Sequence, residues 1–272
     1  MTALYNAEER TLRLAGGTMT CACFGRGERP MVLLPGLSLR PLAGSGLALA
    51  HGFRLFDRDF RVYALDRRSD LPEGTTLEDL AEHTAEAMAL LGVPRAAVLG
   101  VSQGGMIAQY LALNHPERVE RLVLAVTASR LNDTLRGVVG QWIAWAEAGD
   151  LDSFARDMPE RLYSPAYARR WGWIFPAVMK LAKLDDTAHF LTLAKSILTL
   201  DCYDRLEEIA CPALVLGGRE DRVVTGRASE EIAEKLGCEI HMYEQLGHAA
   251  YEEAKDFKRR VADFLLRENA AR

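Results

Sequence analysis

Apolar runs recur along the chain, broken by turn residues, and their lengths and spacing define its elements. Leu12–Leu14 and Met19–Phe24 are two short β-like runs split by Gly16-Gly17, which predicts a hairpin. Met31-Val32-Leu33-Leu34 is continuously apolar and breaks at Pro35-Gly36, the pattern of a strand buried on both faces. Arg61–Leu65 predicts a similar strand that ends at Asp66. Leu77, Leu80, Thr84, Met88 and Leu91 fall at helical spacing, and Gly92-Val93-Pro94 stops that helix. Next come a buried strand over Ala96–Val101, a helix over Gly104–Asn114 closed by His115-Pro116, and a strand over Leu122–Val126.

This alternation predicts an α/β fold with a mostly parallel, twisted sheet covered by helices on both faces. It stops between about Thr127 and Leu200. That segment has no clear apolar strand, holds all four tryptophans (Trp142, Trp145, Trp171 and Trp173), and reads as helical with breaks at Pro159, Pro165 and Pro176. Strand Ala213–Leu216, helix Ala228–Leu236, strand Glu239–Tyr243 and a closing helix Lys255–Leu266 resume the pattern. The expected organisation is a core of residues 1–127 and 200–272 interrupted by a helical insertion over 128–199.

Composition narrows the function. With 33 Lys and Arg against 38 Asp and Glu, the net charge is −5, so no basic excess exists to pair with the phosphates of nucleic acid. Met1–Arg10 carries two glutamates and no apolar core, unlike a signal peptide. The longest stretch without formal charge, Ala96–Pro116, contains Ser102, Gln103, Gln109 and Asn114, which are costly in hydrocarbon, so no membrane partner is expected. Five scattered cysteines lack zinc-site spacing and read as free thiols in a reducing cytoplasm. A homo-oligomer is compatible with this composition.

The sharpest chemical signal is Gly100-Val101-Ser102-Gln103-Gly104-Gly105, a Gly-x-Ser-x-Gly between a predicted strand and a predicted helix. A serine on so sharp a turn needs room two residues to either side, which Gly100 and Gly104 supply. The helix N-terminus then offers N–H groups to a developing anion. A serine hydroxyl needs a base. Of six histidines, His248 follows the last predicted strand, outside the carboxyl ends of the strands where α/β sites gather. His115 and His83 read as solvated, His241 lies in a strand, and His51 and His189 are ambiguous. An acid must orient the base. Asp221 follows the strand Ala213–Leu216, with Glu220 as its neighbour and competitor. Asp66 with Arg67 and Arg68 reads as a structural ion pair.

The order Ser102, Asp221, His248, at spacings of 119 and 27 positions, resembles that of the α/β-hydrolase superfamily. Leu33-Leu34-Pro35-Gly36-Leu37 resembles its oxyanion loop, with proline where histidine is usual, and Asn114–Val119 resembles its helix-to-strand link. The resemblance implies backbone N–H donors at Leu37 and Gln103 and a lid formed by the insertion. Trp142, Trp145, Tyr163, Trp171 and Trp173 then either line an apolar acyl pocket or hold the lid to the core. Arg40, beyond the oxyanion loop, either pairs with a substrate carboxylate or is a surface arginine. Serine at the turn implies acyl transfer, with no metal and no cofactor. The expected substrate is a small, partly apolar ester, thioester, lactone or related carbonyl compound. The alternatives are a non-hydrolytic member (a lyase, acyltransferase or perhydrolase) and a ligand-binding receptor, against which the complete triad argues.

Overall fold

The computed structural model describes residues 4–171 and 187–267. The described strands are β1 (Glu8–Leu14), β2 (Gly17–Phe24), β3 (Arg29–Leu34), β4 (Phe60–Leu65), β5 (Ala96–Val101), β6 (Val119–Ala125), β7 (Ala213–Gly218) and β8 (Glu239–Tyr243). They form one sheet in the order β1-β2-β4-β3-β5-β6-β7-β8. The β1–β2 and β2–β4 pairs are antiparallel and the others parallel. Gly16 turns the first hairpin at φ +82°, a conformation open to glycine without strain.

Successive side chains point to opposite faces. On one face Val32, Leu34, Val98 and Leu122 enter a core shared with α2 (Leu77–Leu90) and α3 (Gln103–Asn114). On the other, Met31, Leu33, Leu99 and Val123 meet Ala50 of α1 (Gly46–Gly52) and residues near the C-terminus. β5 is buried at every position because it lies mid-sheet between β3 and β6. Helix α2 starts on a reciprocal cap between Thr76 and Asp79. Helix α3 is buried from Gln103 to Leu113, since it is apolar on nearly every side.

Between β6 and β7 run α4 (Asp133–Ala148), α5 (Leu151–Leu162), α6 (Pro165–Trp171) and α7 (Thr187–Ile197). Asn132 caps α4 by accepting the Leu135 N–H at 2.8 Å, and Gly149 ends it at φ +68°. Trp142, Phe154 and Phe190 pack α4, α5 and α7 together, with ring centroids 5.9 and 5.6 Å apart. The two ends of this stretch meet in an antiparallel bridge of Arg130 with Asp201, and the Cys202 N–H donates to Ser129 at 2.9 Å.

Several elements differ from expectation, among them β1, which begins at Glu8 rather than Leu12. Helix α1 carries no apolar stripe and no side-chain cap. β6 begins at Val119 because Arg121, instead of ending the strand, is buried; it donates to the Arg267 carbonyl at 2.7 Å and lies over the Phe264 ring. The closing helix is split into α9 (Ala250–Glu253) and α10 (Phe257–Leu265), following α8 (Gly226–Leu236), because Ala254 is extended at ψ 118°. Among the described residues, no helix is long and apolar enough to cross a membrane.

Candidate active site

Ser102 joins β5 to α3 at φ +52° and ψ −120°, a region that costs a non-glycine residue about 1–3 kcal/mol. The surroundings enforce it. Its N–H donates to the Ala125 carbonyl at 2.9 Å, and its own carbonyl accepts from Gly105, Met106 and the Thr127 hydroxyl at 2.8, 3.1 and 2.8 Å. A Cβ on Gly100 would stand 2.5 Å from the Gly104 carbonyl oxygen, and one on Gly104 would stand 2.0 Å from that of Leu34. Gly105 is a third requirement, since its Cβ would meet the Thr127 side chain at 2.7 Å.

The loop after β8 carries His248, which is 4% exposed. Its Nε2 lies 2.9 Å from Ser102 Oγ and its Nδ1 2.8 Å from Asp221 Oδ2. The other Asp221 oxygen accepts the N–H groups of Val223 and Val224 at 2.8 and 3.0 Å. Three residues far apart in sequence thus form one hydrogen-bonded chain. Glu220, the competing acid, is exposed. Gly218 is a fourth requirement, which the sequence shows only as the Gly217-Gly218 pair after the strand. A Cβ there would meet the Gly247 carbonyl oxygen at 2.2 Å, so the loops carrying Asp221 and His248 touch backbone to backbone.

The Pro35–Leu37 turn lies against the serine, since a Cβ on Gly36 would stand 3.3 Å from Ser102 Cβ and 3.8 Å from Oγ. Gln103 opens α3, where first-turn N–H groups have no acceptor within the helix. Its buried side-chain amide donates to the Leu193 carbonyl at 2.7 Å, tying α7 to this turn.

A cavity of about 600 Å³ adjoins the turn at Pro35 and Gly36. Arg40, Asp66, Arg67 and Ser69 form part of its polar wall, and Leu42, Phe190 and Leu193 part of its apolar wall. Of the residues singled out as pocket candidates, Arg40 stands on this wall. Trp142 lies between helices and donates its Nε1–H to Asp157 at 3.0 Å. Trp145 is half-buried against the core, and Tyr163 donates to Glu252 at 2.7 Å while stacking on Tyr167. None of these three is on the described cavity wall. Trp171 is exposed and Trp173 lies outside the described residues.

Asp66 makes no ion pair with Arg67 or Arg68, contrary to expectation. Its carboxylate instead accepts the backbone N–H groups of Leu42 and Arg67 at 2.6 and 2.8 Å. Arg68 donates to the carbonyls of Ala15 and Asp70. Arg67 donates to that of Pro35 at 2.7 Å, and burial pushes its pKa down to about 10.

A mostly parallel sheet with helices on both faces and a serine on the turn after its central strand is the architecture of the α/β hydrolases. A family model for the alpha/beta hydrolase fold matches residues 29–255, and the chain belongs to that family. It is 27% identical over 234 residues, 82% of this chain and 89% of the relative, to a Rhizobium rhizogenes protein assigned as the carbamate hydrolase RutD. It is 23% identical over 235 residues, 83% and 84% of the two chains, to 3-oxoadipate enol-lactonase 2 of Acinetobacter baylyi. The crystal structure of a hydrolase from Pseudomonas aeruginosa superposes with a TM-score of 0.81 at 26% identity, covering 95% of this chain and 98% of that one.

Proposed function

We propose that the protein is a serine hydrolase that cleaves a small, partly apolar ester, thioester or lactone through an acyl-enzyme on Ser102. The observation that carries this reading is the chain from Ser102 Oγ through His248 to Asp221, at 2.9 and 2.8 Å, on a strained strand-to-helix turn. In the reaction, His248 Nε2 takes the Ser102 proton as Oγ bonds to the substrate carbonyl carbon. The carbonyl oxygen becomes an oxyanion held by the Leu37 and Gln103 N–H groups. Collapse breaks the bond to the leaving group, which receives the proton from His248. Water, deprotonated by His248, then bonds to the acyl carbon; collapse breaks the bond to Ser102 Oγ, which takes the proton back from His248 as the acid leaves. Asp221 accepts the Nδ1–H throughout, which leaves Nε2 the unprotonated nitrogen facing the serine in the resting enzyme and stabilises the imidazolium once Nε2 has taken the proton.

In this reading α4 to α7 act as a cap. It is supported by two ties to the reacting residues: Gln103 to Leu193, and the Ala249 N–H, next to His248, to the Leu162 carbonyl at 2.7 Å. The names of the relatives, hydrolases and a lactonase, point the same way. All five cysteines are free, which fits a reducing compartment.

The test is acylation. A 4-nitrophenyl ester should release about one equivalent of nitrophenol in a burst when deacylation is slower than acylation. A fluorophosphonate should label the peptide holding Ser102, and Ser102→Ala should remove both signals. Wild-type turnover by Ser102→Ala, with no label at this serine, would overturn the assignment.

A further inference from the structure

Arg67 lies in an unusual setting. A guanidinium is always charged at neutral pH, and a buried charge is costly unless it is paired. Arg67 is 8% exposed, yet it stands on the wall of the cavity beside the Pro35–Leu37 turn. Nη2 donates to the Pro35 carbonyl, and Nε is buried with no hydrogen-bond partner. The nearest acid in sequence, Asp66, spends its oxygens on two backbone N–H groups. The lowered pKa reports the same imbalance: desolvation of the guanidinium outweighs the attraction of Asp66. Stapling one carbonyl uses one of five donors and needs no net charge.

The cavity has a size suited to a small metabolite. Near Arg67 its wall carries the hydroxyl residues Thr18, Thr20 and Ser69, while Leu49, Phe190 and Leu193 form apolar wall. Arg67 and Ser102 lie against adjacent residues of the Pro35–Leu37 segment: Arg67 bonds to Pro35, and Gly36 lies against Ser102. The guanidinium and the serine thus approach this loop through neighbouring residues.

From this juxtaposition we infer that the cavity is a subsite for a carboxylate, held by Arg67, and that the preferred substrate is an ester or lactone whose acyl part ends in that carboxylate. The inference deepens the hydrolase reading and rests on it. The substrate anion adds to the partial counter-charge of Asp66 and accepts the hydrogen bonds that the Asp66 carboxylate spends on backbone, and a guanidinium suits two parallel hydrogen bonds to a carboxylate. Arg40, on the same wall, adds positive charge.

The experiment compares two esters of equal chain length, 4-nitrophenyl hydrogen glutarate and 4-nitrophenyl pentanoate. Wild type should favour the glutarate half-ester in kcat/KM. Arg67→Met should lower that preference by about tenfold or more, the effect of losing one hydrogen bond between charged groups. Arg67→Lys should restore part of it. An equal fall for both esters in Arg67→Met would overturn the inference, leaving Arg67 as a staple for the loop. Direct binding separates this from the chemistry: glutarate should bind Ser102→Ala by calorimetry and bind more weakly when Arg67→Met is added. Binding of glutarate with no ester turnover and no label on Ser102 would sink the hydrolase reading and leave the subsite standing. Normal turnover and labelling, with glutarate neither bound nor inhibitory, would do the reverse. Glutarate binding to Ser102→Ala uses no Arg67 variant, so that arm holds even where Arg67→Met fails to fold.

Discussion

Replacing Gly104 by alanine tests whether the serine turn depends on backbone contact rather than on glycine flexibility. The added Cβ would lie 2.0 Å from the Leu34 carbonyl oxygen and 2.5 Å from that of Pro35. An ordinary C···O approach is about 3.3 Å, so a gap of about 1 Å must open between α3 and the end of β3. No side chain can swing aside, because the obstructing atoms are backbone: Leu34 is held by strand pairing and the Pro35 carbonyl by Arg67. Overpacking relieved by side chains costs about 1–3 kcal/mol; relief here must come from backbone, which puts the cost near 3 kcal/mol. For a chain of this size that is a fall in Tm of about 6–12 °C. The same shift moves the Pro35–Leu37 turn off the serine, and a displacement of about 1 Å at a reacting centre costs about 10²-fold in kcat. Thermal melts and burst-calibrated turnover measure the two effects. The control is Gly137→Ala, on the exposed side of α4 with no atom within 4 Å of the new methyl, which should gain about 0.5–1 kcal/mol. A Gly104→Ala protein that melts with wild type and keeps its kcat would refute the argument.

Asp221→Asn should keep the fold, because the amide oxygen can still accept from Val223 and Val224. Its NH₂ then faces Nδ1 and forces the proton onto Nε2, so kcat should fall about 10⁴-fold while Glu220→Gln stays near wild type; stopped-flow acylation rates showing the opposite ranking would move the acid to Glu220. Trp142→Ala should cost about 3–5 kcal/mol in urea unfolding through the void left against Phe154 and the loss of the Asp157 bond. An unchanged unfolding midpoint with a shifted preference among esters of growing acyl length would instead put Trp142 in the acyl pocket.

The sheet was legible because its central strands are buried on both faces, and such strands are uninterrupted apolar runs. β5 and β8 have the bounds expected from the sequence. β6 was read three residues short because Glu120 and Arg121 interrupt its run, and only the structure shows Arg121 laid over Phe264. Helix α1 was missed because its apolar residues, among them an exposed Leu47, follow no stripe. Ser102, Asp221 and His248 were each recognisable because each follows a strand and the turn demands glycines. The cavity wall was not recognisable. Asp66 and Arg67 are adjacent opposite charges, a pattern that normally signals a pair, and the backbone groups that separate them come from residue 42 and from Arg67 itself. The aromatic residues between β6 and β7 were equally ambiguous, since a tryptophan between helices and one over a ligand share the same spacing.

The bridge of Arg130 with Asp201 has a consequence for how this chain tolerates change. Seventy residues leave the sheet and return within a hydrogen bond of their departure point. The entropy of closing a loop grows only with the logarithm of its length, so lengthening, trimming or exchanging that stretch perturbs the β6–β7 pairing little as long as the bridge is kept. Grafts cut outside the 130–201 junction preserve the seam, whereas cuts inside it leave two frayed ends. Shuffled libraries built on the two kinds of junction should therefore differ in the fraction of folded members before any difference in activity is scored.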